Sequence, residues 1–321
     1  MNEPIHQKSK LYPVEFNHHP DRDSLDNNLK FGIMVELTEK EIGGEKVKQI
    51  SYIDTDFAPD VDVLYDALKI SKVDDAFSLM GVLSGWYYHF VIEYALDLLG
   101  KNIPEGRLQQ SKILLDGEKI NYKKQWLQVL FPKLTDNNFI TMEPGRSIYC
   151  KKLTPAGRFM GLPKHLGYMR KMCLHANKTI IDNLSLTDIH QDTMLLIKRS
   201  GSRTLYNWDT LHNICVEYCD EHNLQLDVFD DSSDLGSVES QLKRFNKAKI
   251  VIGSHGAGFV NVLACTNTSS LIELKNFNSP MMYKRLAKIL NINYQCIDVV
   301  NHKVSDIGVI QEKLNNITGP V

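Results

Sequence analysis

Short apolar runs alternate with amphipathic stretches along most of this chain, a pattern that predicts strands joined by crossover helices. In the first half, residues 51–54, 76–83, 112–116, 138–142 and 147–153 read as strands. Between them, residues 86–100 carry Tyr87, Val91, Tyr94 and Leu98 at helical spacing, and 122–131 form a second helix with Trp126, Val129 and Leu130 inward. Breakers cluster over 154–165, where Pro155, Gly157, Gly161 and Pro163 predict an interdomain linker before helical periodicity resumes. Beyond it, residues 194–197, 224–229, 250–252, 270–274 and 294–300 read as strands. Helices are expected over 208–222 after Asn207 as cap, around Leu235, Val238, Leu242 and Phe245, from Pro280 after Ser279, and over 306–317. Residues 1–47 are polar around Gly43 and Gly44 and read as an arm and a turn. The expectation is an α/β fold of parallel sheets in two domains, 1–165 and 166–321, the last helix being free to pack back on the first domain.

The stretch 249–274, KIVIGSHGAGFVNVLACTNTSSLIEL, organises the rest. A buried strand stops at Gly253, and Ser254, His255, Gly256, Ala257 and Gly258 follow, so that main-chain N–H groups can approach an anion where a Cβ would clash. Residues 259–265 read as a short helix whose amino end favours a diphosphate. Glu273 closes the next strand, where a carboxylate can hold ribose hydroxyls. A tight turn whose glycines serve packing alone is the plain alternative. After the strand at 194–197, Arg199 and Arg203 bracket Gly201 as a clamp on phosphate oxygens would require, or as surface arginines beside a turn. In the first half, His89, Glu93 and Asp97 lie four apart on one stripe; the first two could bind and deprotonate an acceptor hydroxyl, or form a pair on a solvated face.

Composition narrows the partners. A formal net charge of -2 over 321 residues supplies no field for nucleic acid, and no apolar run is long enough for a membrane span. Without an apolar leader, the chain as given is expected to be cytoplasmic, and a monomer or homodimer. Six cysteines without a C-x-x-C pair read as reduced core residues. His212, Cys215, Cys219 and His222 lie along one helix and cannot wrap a tetrahedral ion, so no metal is assigned there.

The arginine turn LIKRSGSRTLYN, the segment GSHGAGFVN, and the strand ending in Glu273 together resemble glycosyltransferase family 61, and GWYYHFVIEYALDLL is similar to that family's aromatic-His helix. The family's tryptophan after the histidine is Phe90 here, and its acid is Glu93 rather than Asp. The resemblance implies a GT-B architecture, two Rossmann-like domains facing across a cleft. It implies inverting transfer of a sugar, xylose or N-acetylglucosamine first and arabinose also fitting, from a UDP-sugar to a glycan or protein hydroxyl, with no obligate cofactor or metal. Eukaryotic members of the family typically carry a membrane anchor, so the resemblance implies a bacterial or viral enzyme, or a shortened chain. Charge growing on the diphosphate would then be met by Arg199, Arg203 and the turn Ser254, His255, Gly256, Ala257 and Gly258, with Asn261 nearby and Glu273 on the ribose. His255 either donates to a phosphate oxygen or orders the turn, and Glu93 or His89 is the base. Asp54-Thr55-Asp56 resembles the metal signature of GT-A transferases, or is a helix cap or solvated loop. A nicotinamide-dependent oxidoreductase or epimerase is the rival, although the glycines run G-x-x-G-x-G rather than G-x-G-x-x-G; a noncatalytic sugar-binding protein is another.

Overall fold

A computed structural model describes residues 33–42, 45–54, 71–81, 83–117, 120–142, 147–157, 166–187, 190–201, 203–233, 235–276, 279–304 and 307–318. The chain divides into two compact units, Met1–Lys124 with Lys133–Arg158, and Gln125–Pro132 with Phe159–Val321. Each is built on a six-stranded sheet in which parallel pairing predominates, so the fold is α/β with parallel sheets. Asp56 and most of the expected linker lie outside the described residues.

In the first unit the strands are β1 (Ile33–Ile42), β2 (Glu45–Asp54), β3 (Ser71–Ser78), β4 (Lys112–Asp116), β5 (Phe139–Met142) and β6 (Ser147–Pro155), in the order β1-β2-β6-β3-β4-β5. The four strands β6, β3, β4 and β5 are parallel, and order reverses between β3 and β6. β1 and β2 form an antiparallel pair of ten residues each, where an arm and a turn are expected up to residue 47 and a strand over 51–54. The strand expected at 76–83 is displaced: it begins at Ser71 and ends at Ser78, because the chain leaves the sheet toward Gly81 while its apolar residues Leu79 and Met80 stay buried. Next, α1 (Tyr87–His89) runs through a π-helical turn, Phe90–Ala95, into α2 (Leu96–Gly100), followed by α3 (Glu105–Gln110). α4 (Ile120–Leu130) connects β4 to β5.

The second unit carries α5 (Leu166–Asn183), β7 (Thr193–Lys198), α6 (Trp208–His222), β8 (Gln225–Asp230), α7 (Val238–Lys247), β9 (Ala248–Ser254), a 3-10 helix (Ala257–Ala264), β10 (Ser270–Lys275), α8 (Met282–Leu290), β11 (Asn293–Val300), β12 (Lys303–Val304) and α9 (Ile307–Thr318). The sheet order is β12-β11-β10-β9-β7-β8, parallel except for β12. β7 and β9 are therefore neighbours whose next strands lie on opposite sides, and that is where open α/β sheets leave a crevice at the carboxyl ends. Met194, Leu196, Ile250, Ile252, Ile272 and Leu274 form one buried layer with Leu211, Cys215, Tyr218, Ile310 and Leu314 of the covering helices α6 and α9. Hence the last helix packs on α6, whose Tyr218 hydroxyl donates to the Leu314 carbonyl at 3.2 Å.

Three local expectations change. The helix after His255 is a 3-10 helix rather than an α-helix, starting at Ala257. α8 begins after Met281, two residues beyond the expected Ser279 cap, and Ser279 instead bonds Asn276 at 2.5 Å. Asn207 does precede α6, but its amide pairs with the Val304 backbone at 3.3 Å in both directions and stitches β12 to the helix start.

Candidate functional site

In the second unit the site is built on the close approach of β7 and β9. A Cβ at Gly253 would lie 2.8 Å from the Ile197 carbonyl oxygen, so glycine is what lets these strand ends meet. Past them, the turn after β7 brings both arginines over the turn after β9. Arg203 sits in the left-handed region, φ 68°, and its Nη1 donates to the His255 carbonyl at 3.3 Å. Arg199 places Nη1 in the space that a Cβ on Gly256 would take. Its Nε forms an ion pair with Asp231 Oδ2 at 2.8 Å, although this buried N–H has no hydrogen-bond partner. Asp231 is also held by the Ser200 N–H at 2.6 Å and hydroxyl at 2.7 Å. Burial, together with the neighbouring Arg199 charge, lowers the Arg203 pKa against the opposing pull of Tyr283 and Glu273. Even so, an arginine stays charged at any ordinary pH.

His255 is buried at the end of β9 and its N–H donates to the Leu274 carbonyl at 2.8 Å. Its Nδ1 hydrogen-bonds Glu273 Oε1, while the Tyr294 hydroxyl donates to Glu273 Oε2 at 2.5 Å. Both carboxylate oxygens are thus engaged and Glu273 is 0% exposed, so it lies beneath His255 rather than open to a ribose. Burial and the Glu273 bond push the Tyr294 phenol far up. With Nδ1–H committed to the carboxylate, the other imidazole nitrogen is the one left for a ligand. The remaining expected residues divide. Ser254 and His255 line a cavity of about 250 Å³ with Arg203, Lys275, Asn276 and His302. Ala257 and Gly258 are half-buried, and a Cβ at Gly258 would make only an ordinary 3.7 Å contact with Phe229. Asn261 is 0% exposed and donates to Gln241 of α7 at 3.3 Å, because the 3-10 helix turns it into the core.

In the first unit, His89 Nδ1 hydrogen-bonds Glu93, and Glu93 is buried within the π turn. The pair is therefore not one on a solvated face. Trp86, 53% exposed, meets the His89 ring edge-on at 6.4 Å. Asp97, the third member of the stripe, is buried and accepts from the Gly157 N–H at 2.9 Å, fixing the chain where φ is 112°. Behind the loop into α1, Asp116 accepts from the Ser84 hydroxyl at 2.6 Å and pairs with Lys123, both charges 0% exposed. Neither Asp97 nor Asp116 was expected as a site-shaping residue; an acid closing a strand or an amphipathic helix carries no mark of its partner.

Among the described residues no group of three or more His, Cys, Asp or Glu could hold a metal ion, and no helix is long and apolar enough to cross a membrane. In α6 the Cys215 and Cys219 thiols are pushed by burial to about 12 and about 11, and His222 stacks on Tyr218 at 4.0 Å.

A family model described as Glycosyltransferase 61 matches residues 87–272, which run from α1 through the strand that carries Glu273 to the residue before it. The chain belongs to glycosyltransferase family 61. Its activity class is accordingly that of a glycosyltransferase. No curated protein matches the chain. Among solved structures, the Francisella novicida lysine decarboxylase LdcF is 15% identical over 40% of this chain with a TM-score of 0.28, and the chain spans 18% of its length. A variant of the esterase rPPE is 7% identical over 89% of this chain and 81% of its own, with a TM-score of 0.15. Likenesses this slight carry no argument. The family 61 match covers His89, Glu93, Arg199, Arg203, the turn from Ser254 to Gly258 and Asn261, and stops one residue before Glu273.

Proposed function

We propose that this family 61 member is an inverting transferase that moves a sugar, xylose or N-acetylglucosamine, from a UDP-sugar to a hydroxyl of a glycan or protein acceptor. The two units are read as the Rossmann-like halves of a GT-B enzyme, the second holding the donor and the first the acceptor. As the acceptor oxygen bonds to the anomeric carbon, the bond from that carbon to the diphosphate breaks and UDP departs with its electron pair. Arg199, Arg203 and main-chain amides of the turn would meet the growing charge, so no cation is required. The acceptor proton would pass to His89, which Glu93 orients through Nδ1.

One observation carries the reading: two guanidinium groups converge on the backbone of His255 and Gly256 at the carboxyl ends of β7 and β9, where strand order reverses. Glu273 then acts through His255 as a positioning residue. The test is donor hydrolysis with UDP-xylose, UDP-N-acetylglucosamine and UDP-arabinose, with and without EDTA, beside an NADH titration. Turnover of one UDP-sugar that survives chelation is expected. Loss on chelation with recovery on Mn²⁺ would defeat the metal-free scheme, and NADH binding without UDP binding would defeat the transferase reading of the turn.

A further inference from the structure

Lys275 closes β10 two residues after Glu273, on the same face of the strand, and is 7% exposed. Its ammonium donates to the Ser279 carbonyl at 3.3 Å and to Met281 Sδ at 3.2 Å, both neutral acceptors that supply no counter-charge. Among the described residues it has no carboxylate in ion-pair range. Among the described residues the other lysine buried so deeply, Lys123, is paired with Asp116, and Lys198 at the end of β7 has Asp230 at 2.9 Å. A buried ammonium without a counter-charge is costly, and an anion bound beside it would offset that cost. The cavity beside Lys275 has that character. It is lined by Arg203, Lys275, His255 and His302 together with neutral residues, and by no Asp or Glu. Arg203 and Lys275 on its wall attract an anion, with the Glu273 carboxylate held behind His255 and off the lining. At about 250 Å³ it is smaller than the ~300 Å³ or more of pockets that enclose whole small-molecule ligands, so it suits the phosphate portion of a ligand rather than a complete nucleotide-sugar.

We propose that Lys275 is a phosphate-binding residue of this site, and that the anion-binding surface runs from Arg203 along the end of β10 to its ammonium. The inference deepens the UDP-sugar reading and rests on it for the identity of the ligand, though not for its charge. The chemistry recognised is a diphosphate.

The test is calorimetric titration of the full chain and of Lys275→Met and Lys275→Arg with inorganic diphosphate, UDP and uridine. Removing one charge-assisted contact should weaken diphosphate and UDP in Lys275→Met about tenfold or more, with Lys275→Arg keeping most of the affinity. Unchanged affinity of Lys275→Met for both anions overturns the proposal. Diphosphate binding that depends on Lys275, in a protein that does not bind UDP, upholds the anion site and removes the UDP-donor reading. Binding of neither by the unmutated chain removes both. Thermal melting checks that Lys275→Met is folded. If it is not, diffraction from the unmutated protein soaked with tungstate decides: an anomalous peak touching Lys275 Nζ supports the assignment, and any other result overturns it.

Discussion

Arg199 Nη1 fills the space beside Gly256 in which a Cβ would stand. Gly256 has extended backbone, φ −177°, a conformation open to any residue, so the glycine is required by the guanidinium and not by the chain. Gly256→Ala should therefore displace the flexible end of Arg199 and leave the fold nearly untouched. The expected result is a fall in kcat/KM of roughly 10- to 100-fold, one lost charge-assisted contact, with an unchanged melting temperature. Gly253→Ala is the contrast: its Cβ would press on the Ile197 backbone, and a loss of about 1–3 kcal/mol in urea unfolding is expected. Equal melting losses in the two variants would refute the distinction.

Arg203 combines a left-handed backbone with a guanidinium aimed at the His255 carbonyl. Such a conformation costs a non-glycine residue about 1–2 kcal/mol, and strain of this kind persists where surrounding structure demands the side chain. Arg203→Ala keeps the strain and loses the cation; Arg203→Gly loses both. Each should abolish most transfer, while the glycine variant unfolds at higher urea than the alanine one by about 1 kcal/mol of stability. Near-normal turnover in either would remove Arg203 from the anion clamp.

Acid should weaken the first unit through Asp75. The Arg107 fork at 2.6 and 2.8 Å, helped by the Ser111 hydroxyl, holds the Asp75 carboxyl below its ordinary range despite partial burial. A carboxyl more acidic in the folded state contributes stability that is full above its unfolded pKa, roughly 3.9, and vanishes as pH falls through the folded value. Asp75→Asn should thus be less stable near pH 7 by ~1 kcal/mol, a figure reduced for solvent screening of this partly exposed pair. The deficit should shrink below pH ~4 and close at lower pH. Chemical denaturation at a series of pH values checks it; a deficit constant with pH would assign the loss to packing.

Much of the second unit is legible because its strands are short, β-branched and bounded by glycine or polar turns; β9 and β10 could be read directly from KIVIG and SSLIEL. The β1–β2 hairpin is harder to see. Its polar residues give the composition of an arm, and the alternation of Ile33, Val35 and Leu37 about Gly43 and Gly44 is the signal that marks it. Eight residues, AGFVNVLA, are too few to distinguish a 3-10 from an α-helix, and that choice is what turns Asn261 inward. The closeness of Arg199 and Arg203 to residues 255 and 256 follows from β7 and β9 being neighbours, which no local pattern encodes. Likewise Glu273 reads as a ligand-facing acid until the parallel register, Glu273 opposite Gly253, brings His255 over it.

The same arrangement, an imidazole backed by a buried carboxylate, occurs at His89 and Glu93, and the π turn is what buries the acid there. A π turn widens the helix by one residue and recurs at functional sites. With Nδ1 bound to Glu93, His89 presents Nε2 as the atom able to take a proton, and Glu93 fixes that tautomer. If His89 is the base, His89→Ala should lower kcat by about 10²- to 10⁴-fold and leave UDP affinity unchanged, since the donor is assigned to the second unit. Glu93→Gln should cost less in kcat and alter the pH dependence of turnover, because an amide can still meet the ring but no longer selects one tautomer. Added imidazole should restore part of the activity of His89→Ala and none of that of Glu93→Gln. A Glu93→Gln variant as inactive as His89→Ala, with no imidazole rescue in either, would make the carboxylate the proton acceptor instead.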